Sequence, residues 1–237
     1  MKVLGIIPAR GGSRRVPKKN IRLLAGKPLI SYTIKAALGS KLINRLIVST
    51  DDEEIARVAE KYNAEIPFLR PASLAQDDTP DQPVFKHALQ KLNEMDGFIP
   101  EIVLNLRPTT PLKTPEIIDR VIQKMVETQA DIVRTMTLVE GVHHPYWMYS
   151  LSPEYKAATF VDGIDVKDYY QSQLLPKVYR INGVVDGFSL KTITSGYMLG
   201  NENMFGVVIS NKESIDIDTE FDFLHAELII NKLKIVN

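Results

Sequence analysis

Apolar and polar positions along the chain change period repeatedly. Lys2 to Pro8 is a short apolar run and reads as a strand, and Leu29 to Leu38 carries apolar residues at helical spacing. Leu46 to Ser49 is strand-like again. Asp52 to Tyr62 opens with acids and sets Ile55, Val58 and Ala59 on one face, as a helix does. Val84 to Leu92 reads as helix and Ile102 to Leu106 as strand. Thr114-Pro115-Glu116 starts a helix that runs to about Gln129, and Asp131 to Val139 is a strand. Strands alternating with helices predict an α/β fold: a mostly parallel sheet with helices on both faces, and ligands gathered at the carboxyl ends of the strands. The rhythm breaks over 141–190, which holds His143-His144-Pro145, the only tryptophan (Trp147) and several tyrosines. This stretch is expected to be an inserted arm or lobe within a single domain spanning 1–237. Its aromatics, Trp147, Tyr149, Tyr169 and Tyr170, suggest a subunit contact, hence a homodimer or homotetramer. Met204 to Ile209 and Ile215 to Asp218 read as strands, and Thr219 to Leu233 as an amphipathic helix.

Composition narrows the class. Of 237 residues, 44% are hydrophobic and 24% charged, as in an ordinary globular enzyme. Lys plus Arg and Asp plus Glu both number 29, so a nucleic-acid-coating protein and a polybasic membrane binder are disfavoured, and any cationic site is local. The absence of cysteine removes disulfides, thiolate zinc sites and cysteine nucleophiles. The first apolar run breaks at Gly and Arg, unlike a secretory signal, and no stretch approaches the roughly 20 apolar residues of a membrane span. The expected location is the cytoplasm.

Three segments carry candidate chemistry. Pro8 to Asn20, PARGGSRRVPKKN, follows the first strand. Gly11 and Gly12 let backbone approach an anion, and Arg10, Arg14, Arg15, Lys18 and Lys19 concentrate positive charge that suits a triphosphate. The spacing is neither that of a P-loop nor that of a dinucleotide fingerprint, and a solvated basic turn is the plainer alternative. In Ile215-Asp-Ile-Asp-Thr219, residues two apart share a face, so Asp216 and Asp218 present paired carboxylates of the kind that hold Mg²⁺ with substrate phosphates. Asp218 or Thr219 also suits a helix cap. Asn105 to Leu112 ends a strand, which places Arg107 at the expected crevice. The acids of Ser49 to Glu54 read as a helix start. His143 and His144 lack zinc-ligand company, and no GxSxG, HExxH or SxxK pattern is present.

In order and spacing, PARGGSRRVPKKN, STDDEEI, FLRPASLAQDDT, LRPTTPL, HHP, RING and SIDIDTEFDF together resemble the acylneuraminate (CMP-sialic acid) cytidylyltransferases over nearly the whole chain. The resemblance implies a nucleotide-sugar-transferase type of fold, GT-A or Rossmann-like. It also implies an enzyme that joins CTP and a nine-carbon 3-deoxy-ulosonic acid into a CMP-sugar and pyrophosphate, with Mg²⁺ as cofactor. It assigns Arg10, Gly11, Gly12, Ser13, Arg14, Lys19 and Asn20 to the nucleotide, and Arg70 and the turn ending at Asp81 to its cytosine end. Asp216 and Asp218 fall on the metal acids, and Arg10, Arg14, Lys19 and Asp218 form the catalytic set. Arg107, Asn182 and Gly183 fall next to the sugar, with Arg180 as a further cation there. Trp147 and Ser172 stand where cations occur in some sialic acid members, and Asp186 stands where an aromatic is usual. This points to a sugar other than N-acetylneuraminic acid, such as a legionaminic type. A nucleotidyltransferase for a sugar 1-phosphate, such as a hexosamine guanylyltransferase, and a non-catalytic nucleotide-sugar-binding protein are the alternatives.

Overall fold

The computed structural model describes residues 1–13, 15–200 and 203–236, with side chains to 232. Among these residues ten strands and six α-helices follow in chain order. They are β1 (Val3–Pro8), β2 (Leu23–Leu24), β3 (Lys27–Pro28), α1 (Leu29–Leu38), β4 (Arg45–Ser49), α2 (Glu53–Lys61), α3 (Asp81–Asp96) and β5 (Ile102–Asn105). Then come α4 (Pro115–Thr128), β6 (Ile132–Leu138), β7 (Tyr149–Leu151), β8 (Ala157–Thr159), β9 (Tyr179–Ser189), α5 (Leu190–Ser195), β10 (Met204–Val208) and α6 (Glu220–Val236).

The main sheet has six strands in the order β10-β6-β9-β5-β1-β4. β1 runs parallel to β4 and β5, and β10 parallel to β6, while β9 lies antiparallel between β5 and β6. Both faces are covered. Val3 and Ile7 of β1 pack with Ile30 and Ile34 of α1, Ile55 of α2 and Ile118 of α4. Leu4 and Ile6 face the other way, towards Phe85 and Leu92 of α3 and Ile193 of α5. A strand buried on both sides must be apolar at every position, which is why β1 reads as a continuous run. A smaller core joins α6, through Phe223, Ala226 and Ile230, to Leu24, Leu29 and Val16.

The helices begin where the sequence signals them. Asp52 caps α2 by accepting from the amides of Glu54 and Ile55, and Thr114 caps α4 by accepting from Ile117. Thr219 and Asp222 cap the start of α6 reciprocally: the Asp222 amide donates to Thr219 Oγ1, and the Thr219 amide donates to Asp222 Oδ2 at 2.8 Å.

Two expectations are corrected. Ile215 to Asp218 is not a strand. It is extended chain held by one backbone bond, Ile217 N–H to Thr109 O at 2.8 Å, with Ile217 fully buried between exposed Asp216 and Asp218. The alternation is that of a strand, but among the described residues no neighbour supplies a ladder. Within 141–190, residues 179–189 are β9 of the main sheet and 190–195 are α5, so the irregular part ends near Val178. That part is held by its own contacts. His144, buried, places Nε2 3.0 Å from Pro176 O and accepts at Nδ1 from the Tyr146 amide, while Trp147 Nε1 donates to Tyr169 O at 2.7 Å. The Tyr146 ring meets Tyr169 and His144 edge-on. Both histidine nitrogens are thus occupied by structure.

Candidate active site

A hollow of about 240 Å³ opens beyond the carboxyl ends of β1 and β5. These strands lie where successive connections leave the sheet in opposite directions, the usual ligand crevice of an open α/β sheet. The loop after β1 contributes Arg10, Gly12, Ser13, Lys19 and Asn20; the segment after β4 contributes Arg70; the turn before α3 contributes Asp77 and Asp81; the loop after β5 contributes Arg107. Eight sequence-assigned nucleotide and sugar residues therefore share one wall: Arg10, Gly12, Ser13, Lys19, Asn20, Arg70, Asp81 and Arg107. Arg14 lies outside the described residues.

The loop is braced from behind. Asn20, buried, donates from Nδ2 to Arg10 O at 2.9 Å. The Gly11 amide donates to Asp51 Oδ1 at 3.0 Å, so Gly12 is the glycine that lines the hollow. A Cβ on Gly11 would stand 2.6 Å from Asp52 Oδ2, which fixes glycine there. Asp51 also lies 3.6 Å from Arg70 Nη2. Arg70 is nine-tenths buried, and its Nε and Nη2 have no hydrogen-bond partner. Burial pulls its pKa below the usual arginine range, with Asp51 opposing. Buried donors without partners are costly, and the nearby Asp51 carboxylate offsets part of that cost for Arg70, whose side chain lines the hollow. Arg10 is paired with Asp77.

Lys19 links the hollow to the acids. Its Nζ donates to Ile217 O at 2.8 Å and to Asp218 Oδ1 at 3.2 Å. Asp216 and Asp218 lie outside the wall of the hollow itself, flanking the pinned Ile217. Among the described residues no three His, Cys, Asp or Glu side chains gather to hold a metal. Two exposed carboxylates on one short extended segment nonetheless fit Mg²⁺, which takes one or two protein carboxylates and completes its shell with phosphate oxygens and water.

At the other end, Asp81 Oδ2 accepts from Arg107 Nη2 at 3.3 Å and from Asn105 Nδ2 at 3.0 Å. Gly183, at φ +66°, lies under the Arg107 guanidinium. The loop is fixed by Lys113, a buried amine that the sequence reading passed over. Its Nζ donates to Arg107 O at 2.6 Å and also contacts Thr110 O, Thr110 Oγ1 and Thr33 Oγ1. Asn182 turns into the sheet: its Oδ1 accepts from Thr135 Oγ1 at 2.6 Å, and its Nδ2 donates to Thr137 Oγ1 at 2.7 Å. It supports the strand that carries Gly183. Arg180 lines a second hollow, of about 720 Å³, at the root of the arm beside Glu140, His143 and Tyr179. Trp147 and Ser172 line neither hollow.

A basic loop after the first strand, a buried arginine with unmet donors and a lysine bridging to paired acids define a nucleotidyltransferase-type site on an open α/β sheet. A family model described as cytidylyltransferase matches residues 4–205, and the chain belongs to that family. It is 34% identical over 231 residues, 97% of each chain, to the CMP-N,N′-diacetyllegionaminic acid synthase of Legionella pneumophila. It is 32% identical to the pseudaminic acid cytidylyltransferase of Campylobacter jejuni, over 97% of this chain and 96% of the other. A solved structure of CMP:2-keto-3-deoxy-manno-octonic acid synthetase complexed with CTP shares the fold, with a TM-score of 0.75 at 14% identity over 98% and 99% of the two chains. The expected family is confirmed, as is the α/β fold with a mostly parallel sheet covered by helices.

Proposed function

We propose that this cytidylyltransferase joins CTP to a nine-carbon 3-deoxy-ulosonic acid, a hydroxyl of the sugar attacking the α-phosphorus and pyrophosphate leaving. The observation that carries the reading is Lys19, whose Nζ reaches from the basic loop to the Asp216–Asp218 segment. Phosphates and acids are thereby brought to one place. Arg10, Lys19 and the Gly12 amide hold the triphosphate, with Arg14 of the same loop. Asn20 keeps that loop in shape, and Ser13 lines the hollow beside the phosphates. Arg70, on the wall of the hollow, stands at the cytosine end of the nucleotide. Such a reaction rests on alignment and charge neutralisation, and no covalent nucleophile is required. Mg²⁺ held by Asp216 and Asp218 supplies neutralisation of charge on the phosphates when bound.

Arg107 and Gly183 form the sugar side, with Arg180 further out at the root of the arm. A planar guanidinium matches a carboxylate bidentately, which suits an ulosonic acid. The sugar is of the legionaminic kind, a 5,7-diamino derivative, in line with the relative at 34% identity. The enzyme works as a homodimer through the arm, where Leu151, Tyr155, Phe160 and Tyr170 are all more than half exposed. No helix among the described residues is long and apolar enough to cross a membrane. A biosynthetic reaction of this kind belongs to the cytoplasm.

The test is pyrophosphate release with each nucleoside triphosphate against N-acetylneuraminic, legionaminic and pseudaminic acids and a set of sugar 1-phosphates. CTP with a 5,7-diamino acid is expected to give the highest kcat/KM. Turnover of GTP with a hexosamine 1-phosphate, and none with CTP, would overturn the reading.

A further inference from the structure

Behind Arg107, on the antiparallel strand β9, lies a carboxylate that the reaction as described does not use. Asp186 is 1% exposed. Its Oδ2 is 3.7 Å from Arg107 Nη2 and its Oδ1 is 3.7 Å from Arg134 Nη1, and Oδ1 has no hydrogen-bond partner. Arg134, on β6, is also buried; its Nη2 donates to Met198 O, its Nε is unpartnered, and its guanidinium carbon lies 5.7 Å from the centre of the Phe188 ring. On the solvent side Arg107 meets Asp81. Four charges therefore alternate from the cleft into the core, Asp81, Arg107, Asp186 and Arg134, and sum to zero. The register of the sheet makes this possible: Asp186 pairs with Asn105 on one side and with Arg134 on the other, and Asn105 donates to Asp81.

A carboxylate this deep is expensive for the fold. Burial pushes its pKa up, although two arginines oppose the shift. Replacing buried ionic groups with apolar ones of like volume is often neutral or stabilising, so stability alone does not account for the chain Asp186–Arg134 at the centre of a sheet. What it supplies is an anchor. Arg107 is 38% exposed, and a guanidinium on a long side chain at a cleft mouth has many rotamers available. Asp81 holds it from the cleft, Gly183 leaves room beneath it, and among the described residues Asp186 is the carboxylate that faces it from inside, at 3.7 Å. We propose that Asp186 is a positioning residue for the sugar half of the reaction, a buried carboxylate that fixes the direction of the Arg107 guanidinium without touching substrate. The inference rests on the reading that Arg107 meets the sugar.

A double-mutant cycle tests it, using CTP and the acid turned over best in the panel above. Arg107→Gln alone is expected to raise the sugar KM and leave the CTP KM within about twofold; if the sugar KM does not move, the reading of Arg107 fails and the inference falls with it. Asp186→Asn is expected to raise the sugar KM about tenfold with the CTP KM within about twofold, and to have no further effect on the sugar KM once Arg107 is Gln, since coupled residues are non-additive. Multiplying effects, or sugar and CTP constants moving together, would overturn the inference while leaving the role of Arg107 standing. If Asp186→Asn alone does not fold, the cycle is run in an Arg134→Met background, which removes the other cation that Asp186 serves. Asp186→Asn must still raise the sugar KM there; no change would show that the carboxylate serves Arg134 only.

Discussion

The guanidinium of Arg107 occupies the place where Gly183 would otherwise carry a side chain: a Cβ there would stand 2.6 Å from Nη1. At φ +66° the position also disfavours any residue with a Cβ. Gly183→Ala should cost about 1–3 kcal/mol of stability from backbone strain and displace the guanidinium. Thermal unfolding reads the first effect, and a sugar KM raised more than the CTP KM reads the second. Unchanged kinetics would mean that the guanidinium's seat on Gly183 is immaterial to the sugar.

Asp218→Asn should reduce metal-dependent turnover by two orders of magnitude or more while leaving the melting temperature within a few degrees, because the carboxylate is exposed. Asp216→Asn should act in the same direction, less strongly. Turnover titrated against MgCl₂ is the measurement. A variant of Asp218 that keeps full activity at limiting Mg²⁺ contradicts the metal assignment.

Arg10→Ala and Lys19→Ala each remove a charge-assisted contact to the phosphates, worth about 1.5–3 kcal/mol or roughly ten- to a hundredfold in CTP affinity. Calorimetry with CTP should show the loss in both. In Lys19→Ala the tether to Ile217 and Asp218 goes too, so its kcat should fall further than that of Arg10→Ala. Equal CTP affinity in wild type and both variants speaks against a triphosphate at this loop.

His87, on α3, packs edge-on to Phe68 with its Nδ1 buried and unpartnered. Burial lowers its pKa below 6.5, helped by the charges of Lys91 and Arg70. Below pH 6.5 the unfolded chain binds a proton that the folded chain does not, so stability should fall as pH drops through that value towards the folded-state pKa. Urea midpoints from pH 7.5 to 5 should fall more steeply in wild type than in His87→Gln. Parallel curves would exclude His87 from the acid response.

Substituting the exposed apolar tips of the arm, Leu151→Asp with Phe160→Glu, should convert a dimer to monomer at micromolar concentration without lowering the melting temperature of the sheet. Light scattering decides it: a wild-type monomer, or a dimer that survives both changes, removes the arm from assembly.

The helix-period segments and the buried β1 were legible because each has one period and a clear stop signal, as with Leu29–Leu38, which the structure reproduces residue for residue. β9 was not. It follows an aperiodic stretch and carries Asn182, Gly183, Asp186 and Gly187, residue types depleted in strands. Its position between β5 and β6 comes from tertiary pairing. Of the arginines that line the hollow, Arg10 and Arg107 were legible because each follows a strand, and Arg70 only through the family resemblance. The partners of Asp51, Asp77 and Asp186 were not, since nothing near them in sequence shows which cation each will meet; Asp186 stood out only as a departure from the aromatic usual at its place. The paired acids at 216 and 218 were visible through alternation, but a single bond to Thr109 replaces the ladder that alternation suggested.

The antiparallel course of β9 has a modular consequence. Leu138 at the end of β6 lies opposite Tyr179 at the start of β9, so everything between them leaves and re-enters the sheet at adjacent points. The arm is, in topological terms, the loop of one long hairpin. Lengthening such a loop costs only slowly growing closure entropy and leaves the register of the flanking strands unchanged. A change in the length of the arm should therefore leave in place the loops after β1 and β5 that line the smaller hollow.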